Sequence, residues 1–187
     1  MLKPIQDPDK LKKVGEFSEK VTQTHNEYID YWLHNTLFHW DFWLSLVLSI
    51  LPWAVWMKFR KKESSDRLLF VAFSVIIISS WLDFIGTVFG LWYYTGKVIP
   101  TIPVYIPWDI CLMPVFVILL IQYKPKSSAL IKAIIFAAVS SFIGEPFFYW
   151  LGFYVMKKWS IFYSFPIYFL LFLASHKLSK RNNFADL

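Results

Sequence analysis

Residues 68–93 read LLFVAFSVIIISSWLDFIGTVFGLWY, an apolar run broken by one acidic residue, Asp83, and by no basic one. At about 1.5 Å of rise per residue, a helix built from it exceeds the roughly 30 Å hydrocarbon layer of a bilayer. Comparable runs lie on either side, at about 38–57, 107–123, 130–154 and 160–176. The prediction is an all-α integral membrane protein with five transmembrane helices. Composition points the same way: 57% of residues are hydrophobic, 21% aromatic and 17% charged, more apolar surface than one small soluble core hides.

Residues 1–37 read differently. Asp7 can cap a helix, Pro8 suits its first position, and apolar residues recur at Val14, Phe17, Val21, Tyr28 and Trp32. They predict an amphipathic helix, lying among the headgroups or on the outer ends of the bundle. The start, MLKPIQDPDK, has no apolar h-region, so no cleaved secretory signal is expected. Residues 38–176 form the transmembrane domain, and 177–187 a basic tail. Positive residues are retained on the cytoplasmic side of short loops. Lys58, Arg60, Lys61, Lys62 and Arg67 follow the first span, Lys124 and Lys126 the third, and Lys177, Lys180 and Arg181 the fifth; the opposite loops offer Lys97, Lys157 and Lys158. The N-terminus is therefore expected outside and the C-terminus in the cytoplasm.

Ionisable groups inside apolar spans are costly and usually face a bundle interior or a wet cavity, which makes them functional candidates by default. Asp83 and Glu145 lie well inside their spans, and Asp109 sits near the outer start of the third. On the expected topology all three fall in the outer half of the membrane, where one outward-facing cavity can collect them. Ser79, Asp83, Gly86 and Gly90 share one helical stripe, and Ala133, Ala137, Ser141 and Glu145 another, so both acids continue packing seams. Pro146 opens the helix beside Glu145; Pro52, Pro114 and Pro166 interrupt other spans. The candidate ligand-binding residues are Asp83, Asp109, Glu145, Tyr93, Trp108, Tyr149 and Tyr163, with Tyr94, Tyr154 and Trp159 as further walls. Aromatic residues at this level also form the ordinary interfacial belt. The plainer alternative is that the carboxyls are protonated and hydrogen-bonded, fixing helix register only.

Other chemistries find little support. Glu27, Asp30 and His34 share a helical face, with His39 and Asp41 following, but no HExxH element accompanies them and no metal or cofactor is expected. The single cysteine, Cys111, excludes an internal disulfide and reads as a structural thiol. No GxxxxGK[ST], GxGxxG or GxSxG element occurs. The net charge of +6 sits beside the spans, where insertion topology and anionic lipid explain it better than nucleic acid.

A short internal echo relates Phe84-Ile85-Gly86 to Phe142-Ile143-Gly144, and Met113-Pro114-Val115-Phe116 to Phe165-Pro166-Ile167-Tyr168. Parallel repeats of this kind often place their sites on a shared axis. The ordered series Pro52-Trp53, Asp83-Phe84-Ile85-Gly86, Pro107-Trp108-Asp109, Ser141-Phe142-Ile143-Gly144-Glu145-Pro146 and Tyr163-Ser164-Phe165-Pro166-Ile167-Tyr168 resembles an uncharacterised family of small multi-spanning membrane proteins, found mostly in endospore-forming bacteria. The resemblance covers most of the chain after residue 38. It implies a bacterial cytoplasmic membrane location and carries no established activity.

Three functions fit these residues. The first is a non-enzymatic protein whose acidic and aromatic pocket binds a lipid, a small cation or a partner helix. The second is an intramembrane enzyme acting on a lipid or isoprenoid, in which Glu145 or Asp83, holding its proton in an apolar pocket, serves as general acid. The third is a proton- or ion-coupled transporter or channel subunit, for which homo-oligomerisation would be expected.

Overall fold

The computed structural model describes residues 5–181, so the last six residues of the basic tail lie outside it. Asp7 caps α1 (Pro8–Asn35), its side chain accepting from the Asp9 backbone N–H, and Pro8 occupies the first turn, where its missing donor costs nothing. Val14, Phe17 and Val21 on this helix are exposed. The C-terminal end is anchored: buried Trp32 donates Nε1 to the Lys97 carbonyl at 2.7 Å and meets Phe42 edge-on.

Four helical stretches are long and apolar enough to cross a membrane: α2 (Trp40–Phe59), the stretch Lys62–Val88 containing α3 (Ser65–Val88), the stretch Ala129–Trp150, and α7 (Ile161–Ser179). Only 22–39% of the residues in their apolar windows are buried. Ile50, Phe73, Ile77 and Leu130 are among the apolar side chains left on the outside, an extent that water would not tolerate and lipid would.

The fifth predicted span, 107–123, is of another kind. It is a shorter helix, Pro107–Gln122, ending in α4 (Met113–Gln122), and α2, α3, α5 (Ala129–Val139) and α7 all pack on α4. Val117 and Ile118 have no exposed surface. This helix is apolar on every face because protein covers it, whereas the long helices are apolar on faces that protein leaves open. Hydropathy cannot separate the two cases.

Prolines reshape two helices. Residues Pro107–Leu112 and Ser140–Gly144 are π-helical, each ending immediately before an X-Pro pair, Met113-Pro114 and Glu145-Pro146. The Met113 N–H reaches back to the Trp108 carbonyl, and the Glu145 N–H to that of Ser140. Because Pro114 has no N–H, the carbonyls of Asp109 and Ile110 lose their helical donors. Neighbouring helices supply substitutes: Ser79 Oγ donates to Asp109 O at 3.0 Å, and Trp53 Nε1 to Ile110 O at 3.1 Å. The irregular backbone is thus stitched to α3 and α2.

The second and fourth apolar runs end as helices sooner than predicted. α3 stops at Val88, and Gly90 takes φ +64°, with Leu91 N–H bonding Gly86 O and Gly90 N–H bonding Thr87 O. Gly90, expected as a packing residue beside Gly86, is instead a left-handed helix cap. α6 (Glu145–Trp150) ends in the same way at Gly152. The chain after each cap forms a short strand, and β1 (Trp92–Tyr94) pairs antiparallel with β2 (Tyr154–Met156), placing Tyr94 opposite Tyr154.

Candidate functional site

In a strand, successive side chains face opposite ways. Trp92 and Tyr94 therefore turn inward from β1 and both donate to Asp83 Oδ1, Trp92 Nε1 and Tyr94 OH each at 2.7 Å. Asp83 Oδ2 accepts the Tyr105 backbone N–H at 3.2 Å, and Asp109 Oδ2 accepts the same N–H at 3.1 Å. The two carboxyls, 4% and 3% exposed, also lie within hydrogen-bonding reach of each other. Asp109 arrives there because the π turn re-aims it toward α3. Burial first, and then the charges of Asp83 and Asp109, hold the Tyr94 hydroxyl protonated well above the usual phenol range, so it acts as a donor.

Glu145, 7% exposed, directly follows the second π turn. Its Oε1 accepts from Tyr168 OH at 2.8 Å, and that oxygen in turn accepts from Trp108 Nε1 at 3.2 Å. Ser164 lies beside the carboxyl, its Oγ accepting from Trp159 Nε1 at 2.9 Å. Glu145 Oε2 is buried with no hydrogen-bond partner. Such an atom in a polar network is costly unless something else meets it.

All three acids line one cavity of about 200 Å³, together with indoles and phenols from β1, β2 and the loops after them. No described Lys, Arg or His lines it. Lys97, in the loop above the aspartate pair, has its ammonium committed to the carbonyls of Ile102 at 2.8 Å and Pro103 at 3.3 Å. Burial lowers its pKa, an effect partly opposed by Asp83 and Asp109.

Of the residues expected from sequence, Asp83, Asp109, Glu145 and Trp108 come together here, as do Tyr94, Tyr154 and Trp159. Tyr93, Tyr149 and Tyr163 do not, and a correction is needed for each. Tyr93 is 42% exposed because β1, rather than a helix, carries it and turns it opposite to Trp92 and Tyr94. Tyr149 and Tyr163, 54% and 59% exposed, each adjoin the residue that faces inward, Phe148 and Ser164, about a 100° turn away on the helix. Trp92, Tyr105, Tyr168, Ser79 and Ser164 line the cavity without having been singled out as site residues. Ser164 and Tyr168 lie four apart on α7, the stripe spacing that marked the acids, whereas Tyr105 sits in a loop with no periodicity to expose it.

Elsewhere the chemistry is quieter. Glu27 accepts from Gln23 Nε2, and His34 Nδ1 bonds the Asp30 carbonyl; among the described residues no three His, Cys, Asp or Glu converge as metal ligands. Cys111 is a buried free thiol whose Sγ donates to Ser49 O at 3.0 Å. Compared with protein-family models, with curated proteins and with solved structures, the chain matches none.

Proposed function

We propose that this is a non-enzymatic ligand-binding protein of the bacterial cytoplasmic membrane, related to the family it resembles, whose interior cavity holds a small membrane-dissolved molecule. One observation carries the reading: carboxyls from three helical segments line a single cavity, and one of them, beside the Ser164 hydroxyl, keeps a buried oxygen without a hydrogen-bond partner. The way in is lateral. Leu82 and Ile85 of α3 line the cavity yet are 42% and 46% exposed on the outside of the helix, with Ile167 of α7 facing the same space. An opening walled by leucine and isoleucine suits a molecule arriving through lipid.

In this reading α4 completes the crossing as a fifth, protein-sheathed element, which leaves the N-terminus outside and the basic loops in the cytoplasm. Single cysteines test the orientation. Thr101→Cys should react with an impermeant maleimide in intact cells, and Ser128→Cys only after permeabilisation; the reverse pattern would overturn the topology.

Mass spectrometry of protein extracted in mild detergent tests the ligand. A defined molecule should stay bound one-to-one through delipidation of the wild type, and Ile167→Trp, which fills the opening, should release it. An empty wild-type protein would contradict the proposal. An intramembrane enzyme using Glu145 as acid would instead show two related molecules, whose ratio shifts in Glu145→Gln.

A further inference from the structure

Resting on that ligand-binding reading, we infer that the ligand is an amphiphile with a cationic ammonium head, seated against Glu145 in the aromatic end of the cavity, with its chain leaving between α3 and α7. The two ends of the cavity differ. At one end, Asp83 accepts from Trp92, Tyr94 and the Tyr105 N–H, and Asp109 shares that N–H. At the other, Glu145 has one oxygen bound to Tyr168 and one without a hydrogen-bond partner, with the Ser164 hydroxyl beside the carboxyl.

Lys97 acts on the aspartate pair, whereas no described cationic side chain lines the cavity beside Glu145, and a buried carboxylate is stabilised chiefly by a partner of opposite charge. The walls running from Trp92, at the aspartate end, to Trp159, beside Glu145, are aromatic. Trp92 and Trp159 stand 4.9 Å apart at 67°, Tyr154 closes on Trp92 at 6.3 Å and 64°, and Trp159 is tied to Ser164 beside the carboxyl. Trp92 and Trp159 meet edge-to-face, and indole and phenol rings lining a cavity beside a carboxyl supply the aromatic surroundings in which ammonium groups are bound.

Size decides what else the ligand must be. About 200 Å³ accommodates a head such as trimethylammonium with a few methylenes, not an entire lipid. The remaining chain has an apolar exit past Leu82, Ile85 and Ile167.

Hexadecyltrimethylammonium, hexadecanol and hexadecyl sulfate share one chain and differ in head charge. Offered in equal amounts to the full-length protein in maltoside micelles and read by native mass spectrometry, the cation should be retained one-to-one, with roughly a tenfold preference over the other two. Glu145→Gln keeps an acceptor for Tyr168 and should erase that preference, while Trp159→Leu should weaken it several-fold. Should Glu145→Gln fail to fold, Trp159→Leu carries the test alone. Equal retention of hexadecanol, or an unchanged preference in a folded variant, would overturn the cationic head and leave the ligand-binding reading standing. No probe retained, together with nothing carried from the cell, would remove both.

Discussion

Asp83→Leu should lower the free energy of unfolding in bicelles by about 3–5 kcal/mol, while Asp83→Asn costs about 1 kcal/mol or less. Leucine leaves Trp92 Nε1 and Tyr94 OH, buried donors that now converge on one carboxylate oxygen, without an acceptor. It also removes the tie between α3 and the loop holding Tyr105. Asparagine restores the shared acceptor for Trp92 and Tyr94; its N–H2, in place of Oδ2, loses the Tyr105 N–H, which keeps Asp109 Oδ2, and can donate to Asp109. If leucine and asparagine are tolerated alike, the carboxyl is not what holds the strand on the helix.

The contrast separates two roles that looked alike in sequence. Asp83 accepts from three protein donors and Asp109 shares one of them, so the pair links α3, β1 and the Tyr105 loop, and the register-fixing alternative expects changes here to alter stability. On the proposed reading Glu145, whose second oxygen is buried without a hydrogen-bond partner, is the acid available to a ligand. Loss of binding without loss of stability is therefore expected from Glu145→Gln and not from changes at Asp83.

Helix content and inward-facing stripes were legible because period and hydropathy are local properties. Ala133, Ala137, Ser141 and Glu145 are all buried, as their spacing implied. Trp92 and Tyr93 were read as the end of a span since nothing apolar interrupts the run; only the glycine at 90, seen as a cap, ends the helix and makes a strand. Strand alternation turns Trp92 toward Asp83 and Tyr93 outward, an orientation that a continued helix would not give. The buried helix at 107–122 was counted with the others because hydropathy reports apolar faces and not what covers them. Tyr105 and Tyr168 depend on contacts across long sequence separations, with Asp83 and Glu145 respectively, and no local pattern encodes those.

Gly86→Ala should destabilise the protein by about 2–4 kcal/mol, more than an alanine ordinarily costs, because the added methyl has no room. A Cβ at this position would lie 2.0 Å from Trp92 Cζ2 and 2.1 Å from Cη2, well inside van der Waals contact. The indole cannot retreat cheaply, since its Nε1 is held at 2.7 Å by Asp83 and its ring stands between Tyr154 and Trp159. Gly144, the partner of Gly86 in the internal echo, receives the Trp108 ring in the same manner, its Cβ position 2.5 Å from Cη2. Each glycine is thus a seat for an indole that donates toward the acid of its own helix, directly to Asp83 or through Tyr168 to Glu145. Close approach of one side chain, rather than of a helix backbone, is what forbids a Cβ here. A double-mutant cycle separates the two explanations. In a Trp92→Leu background, Gly86→Ala should cost almost nothing, giving a coupling of about 2–4 kcal/mol. Additive losses would mean that the alanine clashes with something other than the indole, and the seat would have to be assigned elsewhere.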